Sequence, residues 1–474
     1  MKESLGITVK KEDDFSEWYT QVILKSDLCD YSPVSGCIIF KPYSYAIWEK
    51  IKEQVDKRIK AMGVKNAYFP LFIPEKLLKK EAENFAGFSP EVAWVSESGS
   101  SKMEERLAIR PTSEAIMYEA YARWIRSWRD LPLKLNQWNN VVRWEFKHAV
   151  PFLRTREFLW NEGHTVFATQ VEAEKEAKDI LEMYEEILKE YFALFPLSGR
   201  KTDHEKFAGA EYTLTHEILM PQGKAIQGPD AHYDGQKFAK AFDITFLDKN
   251  EKRQYAYQNT WAITTRMIGV LVAVHGDDKG LVLPPKLAPY PVVIIPIVTK
   301  EDKEAVKKAK QIQKVLKDFD CYVDDREEYS PGWKFNEWEV KGVPLRIEIG
   351  PKDIKEKKVV IVRRDMGEKK FVKEELVLGE VSKLLEAIQD NLYQKSKTFT
   401  EKSIVRVKTL EELKKTVKAK KIGEVFLCES CEDALKDKAD GAKALNIPFE
   451  QPILGNCILC KKKASYLVRV GKSY

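Results

Sequence analysis

Apolar positions recur early in the chain at helical spacing. Phe15, Trp18, Tyr19 and Ile23 share one face, and Ile47, Trp48, Ile51 and Val55 share another. Between them, turn residues over 31–36 and the run CIIF predict a turn and a short strand. The second helix ends at Gly63, and VKNAYFPLFIP reads as a strand closed by Pro74. Residues 106–110 form a strand pattern that stops at Pro111, with a long helix after Thr112-Ser113-Glu114. Two apolar runs, Val141-Val142 and Phe158-Leu159-Trp160, flank a basic segment with a proline over 147–156, which predicts a long antiparallel hairpin over 141–167. Residues 172–195 place Ile180, Tyr184, Ile187 and Leu188 on one helical face. A turn-rich connection over 201–211 follows, then a glycine-containing segment, 224–238, that holds Gln227 and His232. A strand ending in Thr264-Thr265-Arg266 runs into an apolar helix.

The proline-rich LPPKLAPYP marks a boundary near residue 290. Beyond it, VVIIPIV, CYVDD, LRIEIG and KKVVIVRR alternate with helical patterns over 301–319 and WKFNEWEVKG. That alternation predicts an α/β domain with a mostly parallel sheet.

A length of 474 residues implies two or three domains. Hydrophobic content of 44% with 32% charged residues describes a soluble globular protein. No apolar run approaches the roughly 20 residues of a membrane helix. The charged N-terminus MKESLGITVKKEDDF has no secretory apolar core, so a cytoplasmic protein is expected. The net charge of +6 permits a nucleic-acid partner through local basic patches without demanding one.

Charge is concentrated on the hairpin: Arg143, Glu145, Arg154, Arg156, Glu157, Glu162 and His164. A half-buried charge needs a partner, so this face either carries a lattice of ion pairs or binds a charged ligand. An Arg fork matches phosphate and carboxylate bidentately and keeps its charge at neutral pH. Thr112 and Glu114 suit the N-terminus of a helix, as cap and as dipole partner. Arg266, heading an otherwise apolar helix, calls for an anion. Seven cysteines do not form a disulfide framework in a chain this long. The pairs Cys428-x-x-Cys431 and Cys457-x-x-Cys460 suit either a tetrahedral, structural zinc site or reduced, redox-active thiols. Cys29, Cys37 and Cys321 read as packing.

Arg143-Trp144-Glu145, then Arg154, Thr155, Phe158, Trp160, Glu162 and His164, resemble motif 2 of class II aminoacyl-tRNA synthetases in its prolyl-tRNA synthetase form. The helix and strand over about 45–75, with Pro70 in the marked position, resemble motif 1, and residues 257–285 resemble motif 3. The resemblance implies an α+β catalytic domain over 1–288, with an antiparallel sheet flanked by helices. An α/β anticodon-binding domain (289–397) and a small α/β zinc domain holding the four paired cysteines (398–474) would follow, with no editing insertion between motifs 2 and 3.

It also implies roles. Arg143 and Arg266 would be catalytic. ATP would meet Arg143, Glu145, Arg154, Thr155, Gln227, Thr264 and Arg266. L-Proline would meet Thr112, Glu114, Arg143, Phe158, Trp160, Glu162, His164 and His232. Glu339, Arg346, Lys352 and Asp353 match positions that read anticodon guanines. Glu145 and Glu162 are candidates for magnesium, for the adenine amino group, or for a neighbouring Arg. Asp230-Ala231 stands where many members carry Thr-Ser, and Glu157 has no assigned chemistry, with Arg156 able to pair with it. Mg2+ with ATP, structural Zn2+, tRNA(Pro), a homodimer built on motif 1 and no membrane are expected. A pocket of this kind would misactivate alanine or cysteine. A sister synthetase for threonine, glycine or histidine, and an RNA-binding paralogue without aminoacylation, are the alternatives.

Overall fold

A computed structural model describes residues 6–84, 91–145, 148–298, 304–453 and 455–474. Lys147 of the predicted hairpin loop and Glu301 of a predicted helix lie outside them. The first helix, α1 (Phe15–Lys25), starts where Asp14 accepts from the amides of Ser16 and Glu17, and it buries Trp18, Tyr19, Val22 and Ile23. Helix α2 (Pro42–Ala61) opens on a proline, which lacks only an amide that helix ends leave unused.

VKNAYFPLFIP is not one strand. Lys65 and Asn66 pair with Leu135 and Asn136, whereas Phe72–Pro74 joins a separate sheet with β1 (Ser101–Ile109). Pro70 has no amide for a ladder and restricts Phe69, whose own amide donates instead to the Gln137 side chain.

After α3 (Glu114–Trp124), β2 (Leu133–Val142) and β3 (Glu157–Phe167) form the hairpin, in register from Leu133 opposite Val166 to Val142 opposite Glu157. Its first arm begins well before the apolar pair Val141-Val142, because Asn136 and Gln137 are buried with hydrogen-bond partners rather than exposed. Helix α4 (Gln170–Glu190) is set by a capping box between Thr169 and Glu172 and packs behind the sheet. Strands β4 (Tyr212–Leu219), β5 (Lys224–Gly235) and β6 (Tyr257–Thr264) follow, then α5 (Arg266–His275). Strand β6 lies between β5 and β3, antiparallel to both. A bulge interrupts β4–β5: Thr215 faces Asp230 and Glu217 faces Gln227.

The second domain holds β7 (Val292–Pro296), α6 (Glu304–Val315), β8 (Cys321–Val323), α7 (Pro331–Val340), β9 (Leu345–Ile349), β10 (Lys358–Arg363), β11 (Lys369–Lys373) and α8 (Val377–Ser403). The order is β8-β7-β9-β10-β11. The expected mostly parallel sheet is instead mixed: β7 runs parallel to β8 and β9, but β9–β10 and β10–β11 are antiparallel. Residues 350–357 are too few for the crossover of about a dozen residues that a parallel pair needs. Helix α8 is continuous through 397–398, where the sequence divides the domains, because neither Gly nor Pro interrupts 380–403. At the seam with the first domain, buried Arg364 clasps Asp277 at 2.6 and 2.7 Å and donates to the Glu339 carbonyl at 2.8 Å.

The C-terminal segment forms β12 (Ile422–Leu427), α9 (Glu432–Lys438), β13 (Lys443–Asn446) and β14 (Tyr466–Ser473). Strand β14 pairs with β12 and β13, and through Lys472 and Ser473 also with Lys224 and Ala225 of β5. Among the described residues this joins strands of the first domain and of the C-terminal segment into one eleven-stranded sheet. Among the described residues no helix is long and apolar enough to cross a membrane.

Candidate active site

A cavity of about 520 Å³ opens over β3, β5 and β6. Pairing of β3 with β6 sets Trp160 opposite Thr264 and Glu162 opposite Ala262, so the end of the hairpin and the approach to α5 share one floor. Every candidate for ATP and proline lines it: Thr112, Glu114, Arg143, Glu145, Arg154, Thr155, Phe158, Trp160, Glu162, His164, Gln227, His232, Thr264 and Arg266.

Arg143 sits just beyond β2, where its amide donates to the Arg156 carbonyl at 2.7 Å. Its Nε donates to the Pro111 carbonyl at 3.0 Å, and its guanidinium lies 5.6 Å from the Phe158 ring and 5.4 Å from the Trp160 ring. Two π faces hold the cation without neutralising it. The rings meet edge to face, and Trp160 Nε1 donates to Asn139 at 2.6 Å, which fixes the indole.

Glu162 is the polar centre of the floor. It accepts from the amide and hydroxyl of Ser113, from Gln137 at 3.1 Å and from Asn139 at 2.6 Å, and pairs with His164 Nε2 at 3.1 Å. Burial alone would raise its pKa, but His164, Ser113 and Asn139 hold it well below the usual carboxylate range. The effect on His164 is the reverse. Burial lowers its pKa, but Glu162 and then Glu114 prevail and raise it, while Tyr118 meets its Nδ1 at 3.1 Å. With its oxygens so occupied, Glu162 has no lone pair left for a metal, and of the two magnesium candidates only Glu145 is exposed.

The N-terminus of α3 is capped from outside the helix. Ser113, at the cap position, makes no capping bond with its own side chain, and Glu162 takes its amide instead. The Thr112 hydroxyl, expected as a cap, donates to the Glu114 carboxylate. Both Thr112 and Glu114 are buried at the cavity wall. The sequence did not point to Ser113, Gln137 or Asn139 as partners of Glu162. The available signal was a run of amides in a strand with no solvent side.

Elsewhere in the cavity lining, Arg266 donates to the carbonyls of Leu153 and Gln227, both at 3.3 Å. Burial and the like charge of Arg143 lower its pKa, while Asp230 and Glu217 act the other way. The bulge in β5 changes the strand's parity, so Gln227 joins Asp230 and His232 on the cavity side. Gln227 Nε2 donates to Asp230 at 2.5 Å, Asp230 lies 3.6 Å from His232 Nε2, and His232 Nδ1 meets the Thr213 hydroxyl at 2.8 Å. Asp230, noticeable in the sequence only as a departure, is therefore part of the wall. Glu157 accepts from Asn140 at 2.8 Å, while Arg156 donates to the Ser35 carbonyl and stacks on Trp144, so these two neighbours do not pair. Tyr474 is tied to β5 by its amide, 2.9 Å from the Ala225 carbonyl, near enough to Arg154 and Arg266 to feel their charge.

The four anticodon candidates are engaged within the chain or lie at its surface. Glu339 pairs with Lys279 at 3.0 Å, and Arg346 forks onto Glu348 and lies 4.5 Å over Phe335. Asp353 accepts from the Gly350 amide at 2.9 Å, and Lys352 is exposed. Cys428, Cys431, Cys457 and Cys460 converge, with all four Sγ atoms within 4.8 Å of one another and Cys428–Cys460 at 3.6 Å. Zinc–sulfur bonds of about 2.3 Å imply tetrahedral S–S edges of about 3.8 Å, so the thiols fit that ion.

Residues 93–275 match the class II core domain of tRNA synthetases (G, H, P, S and T), residues 291–388 an anticodon-binding domain, and residues 410–474 the C-terminal domain of prolyl-tRNA synthetases. The chain is 49% identical to a proline–tRNA ligase of Natranaerobius thermophilus, covering 95% of this chain and 94% of that protein. It is also 49% identical to a proline–tRNA ligase of Alkaliphilus oremlandii, over 98% and 97% of the two chains. Identity to a bifunctional glutamate/proline–tRNA ligase of Mus musculus is 46%, over 99% of this chain and 33% of that protein. With three successive domain matches and near-complete coverage of such relatives, the chain belongs to the prolyl-tRNA synthetase family of class II aminoacyl-tRNA synthetases.

Proposed function

We propose that the cavity binds L-proline and ATP side by side. The chain would join them as prolyl-adenylate with release of pyrophosphate, then pass the prolyl group to the 3′ end of tRNA(Pro). The observation that supports this is that Arg143 lines one cavity with Thr112 and Glu114, to whose loop its Nε is tied at Pro111, and with Arg266, which feels its charge. A guanidinium there serves the proline carboxylate and the α-phosphate together, while Glu114 takes the ammonium end. The attacking nucleophile is the proline carboxylate, so no side chain needs to form a covalent intermediate. Arg143, Arg154 and Arg266 would hold the phosphates in line and stabilise their growing charge. Thr155, Gln227 and Thr264 would border the nucleotide. Phe158, Trp160 and His164, with Glu162 below them and His232 opposite, would enclose the ring. Mg2+ accompanying ATP would further neutralise the phosphates, with Glu145 the acidic group placed to meet it.

The same reading assigns zinc to the four cysteines, as a structural ion, and anticodon guanines to Glu339, Arg346, Lys352 and Asp353. It includes a cytoplasmic protein and a homodimer formed around Pro70. The exposed Tyr68, Phe72 and Trp124 support the dimer, since large apolar side chains in that region would otherwise face water. The test is ATP–pyrophosphate exchange with each of the twenty amino acids. Exchange that is strongest with proline is expected. A different preferred amino acid would point to a sister synthetase, and no exchange with any would leave a binding protein.

A further inference from the structure

The segment over 197–211 includes the stretch that reads from the sequence as a plain turn-rich connection. In the fold it touches two places at once. Its far end forms part of the cavity, through Glu205, Lys206 and Phe207. The Phe207 ring lies 5.0 Å from that of His232, and the Phe207 amide donates at 3.1 Å to the Thr213 hydroxyl that also meets His232 Nδ1.

Its near end is held by the C-terminal domain. Arg200 and Ile447 exchange backbone hydrogen bonds at 2.9 and 2.7 Å, and fully buried Asn446 donates to the Leu197 carbonyl at 2.6 Å. Arg469 donates to the Ser198 carbonyl at 3.0 Å. A Cβ on Gly199 would collide with the Ile447 carbonyl oxygen, so the two backbones are pressed together. Further along, buried Thr202 donates to Glu432, Lys443 pairs with Glu205, and His204 lies 3.4 Å from Asp433. Glu432 is the first residue of α9 and directly follows Cys431, and its other oxygen takes the Tyr466 hydroxyl at 3.1 Å. The direction of Glu432 is thus set by the turn on which the cysteines converge.

We propose that the C-terminal domain is a wall-positioning element of the amino acid site. Through Asn446, Glu432 and Lys443 it holds residues 197–207 so that Phe207 stays on the His232 ring, and metal in the four-cysteine cluster thereby strengthens proline binding. This rests on the cavity being the proline site. Thr202, Glu432 and Lys443 are positioning residues, and none of them is assigned contact with a reacting atom.

The experiment uses the full chain. Thr202→Val is close to isosteric but removes the donor to Glu432, whereas Thr202→Ser keeps it, and Lys443→Met cuts the second tie from a half-exposed position. In pyrophosphate exchange, Thr202→Val should raise the KM for proline about 5- to 20-fold with the KM for ATP unchanged. Thr202→Ser should stay near the unsubstituted protein, and Lys443→Met should shift in the same direction by less. Stripping zinc with a chelator, followed by metal analysis, should speed amide hydrogen exchange over 197–211 and weaken proline binding in equilibrium dialysis. An unchanged proline KM in both variants would overturn the inference, as would proline and ATP values rising together, or 197–211 remaining protected after metal loss. If the unsubstituted chain shows no proline-dependent exchange, the underlying reading fails instead.

Discussion

Arg143 Nε donates to the carbonyl of Pro111, the residue immediately before Thr112, at 3.0 Å. The hairpin arginine is thereby anchored to the loop that carries Thr112 and Glu114, and it lines the cavity with them. Lysine has a single ammonium and cannot hold the loop and a bidentate anion together. Arg143→Lys should lower kcat/KM for proline-dependent pyrophosphate exchange by about 10²- to 10³-fold. Its thermal midpoint should stay close to that of the unsubstituted protein.

Glu114 receives the Thr112 hydroxyl and is buried at the cavity wall. If it meets the ammonium of proline, Glu114→Gln keeps the shape and loses the charge. A charge-assisted hydrogen bond contributes about 1.5–3 kcal/mol, so the KM for proline should rise roughly 10- to 100-fold. The KM for ATP serves as the control and should hardly move.

Asp234 is fully buried in β5, and burial, followed by the negative charge of Glu114, pushes its carboxyl well above the ordinary value. The folded chain therefore keeps a proton that the unfolded chain releases above about pH 4. Stability is full below that unfolded value and declines as pH rises toward the folded one, by up to about 1.4 kcal/mol per pH unit for one such group. Asp234→Asn removes this slope. Urea unfolding at pH 5 and pH 7 should show the substituted protein gaining most at pH 7. An equal change at both values would contradict the buried neutral carboxyl.

The expected proline slot is walled by Phe158 and Trp160, packed edge to face. Alanine lacks two ring methylenes, which a pocket of this kind distinguishes by about 2–6 kcal/mol in all. Exchange with alanine should therefore be weaker than with proline by roughly 30- to 10⁴-fold, yet measurable in the same assay. Strict absence of exchange with alanine would count against this slot.

The hairpin and its arginines are legible in the sequence because their apolar flanks and fixed spacing are local. So is the convergence of the four cysteines, since two close pairs leave few other arrangements. What stays hidden depends on contacts far apart in sequence. Glu162 reads as a free acid until Ser113, Gln137 and Asn139 arrive from two other elements to saturate it. The antiparallel turn of β9 into β10 escapes a local reading because the alternation of strands and helices in the rest of the domain suggests crossovers, although 350–357 is too short for one. Nor does local pattern announce that β14 pairs with β5, a partner just over half the chain away. Asp230 is visible as a residue, but its place on the wall follows from the bulge.

That bulge also bears on how the gene can vary. Gln227 and Asp230 share the cavity wall only because the 227–230 stretch carries one residue more than the strand opposite. A one-codon deletion at Gly228 or Pro229 would restore regular pleating with Gln227 and Asp230 two residues apart and still on one face, whereas flattening the bulge at unchanged length would turn them to opposite faces. Within the four residues from Gln227 to Asp230, the loss of one residue therefore keeps the pair together, whereas a substitution that abolishes the bulge at unchanged length separates it. Agreement between residue count and pleating is the property here that variation has to preserve.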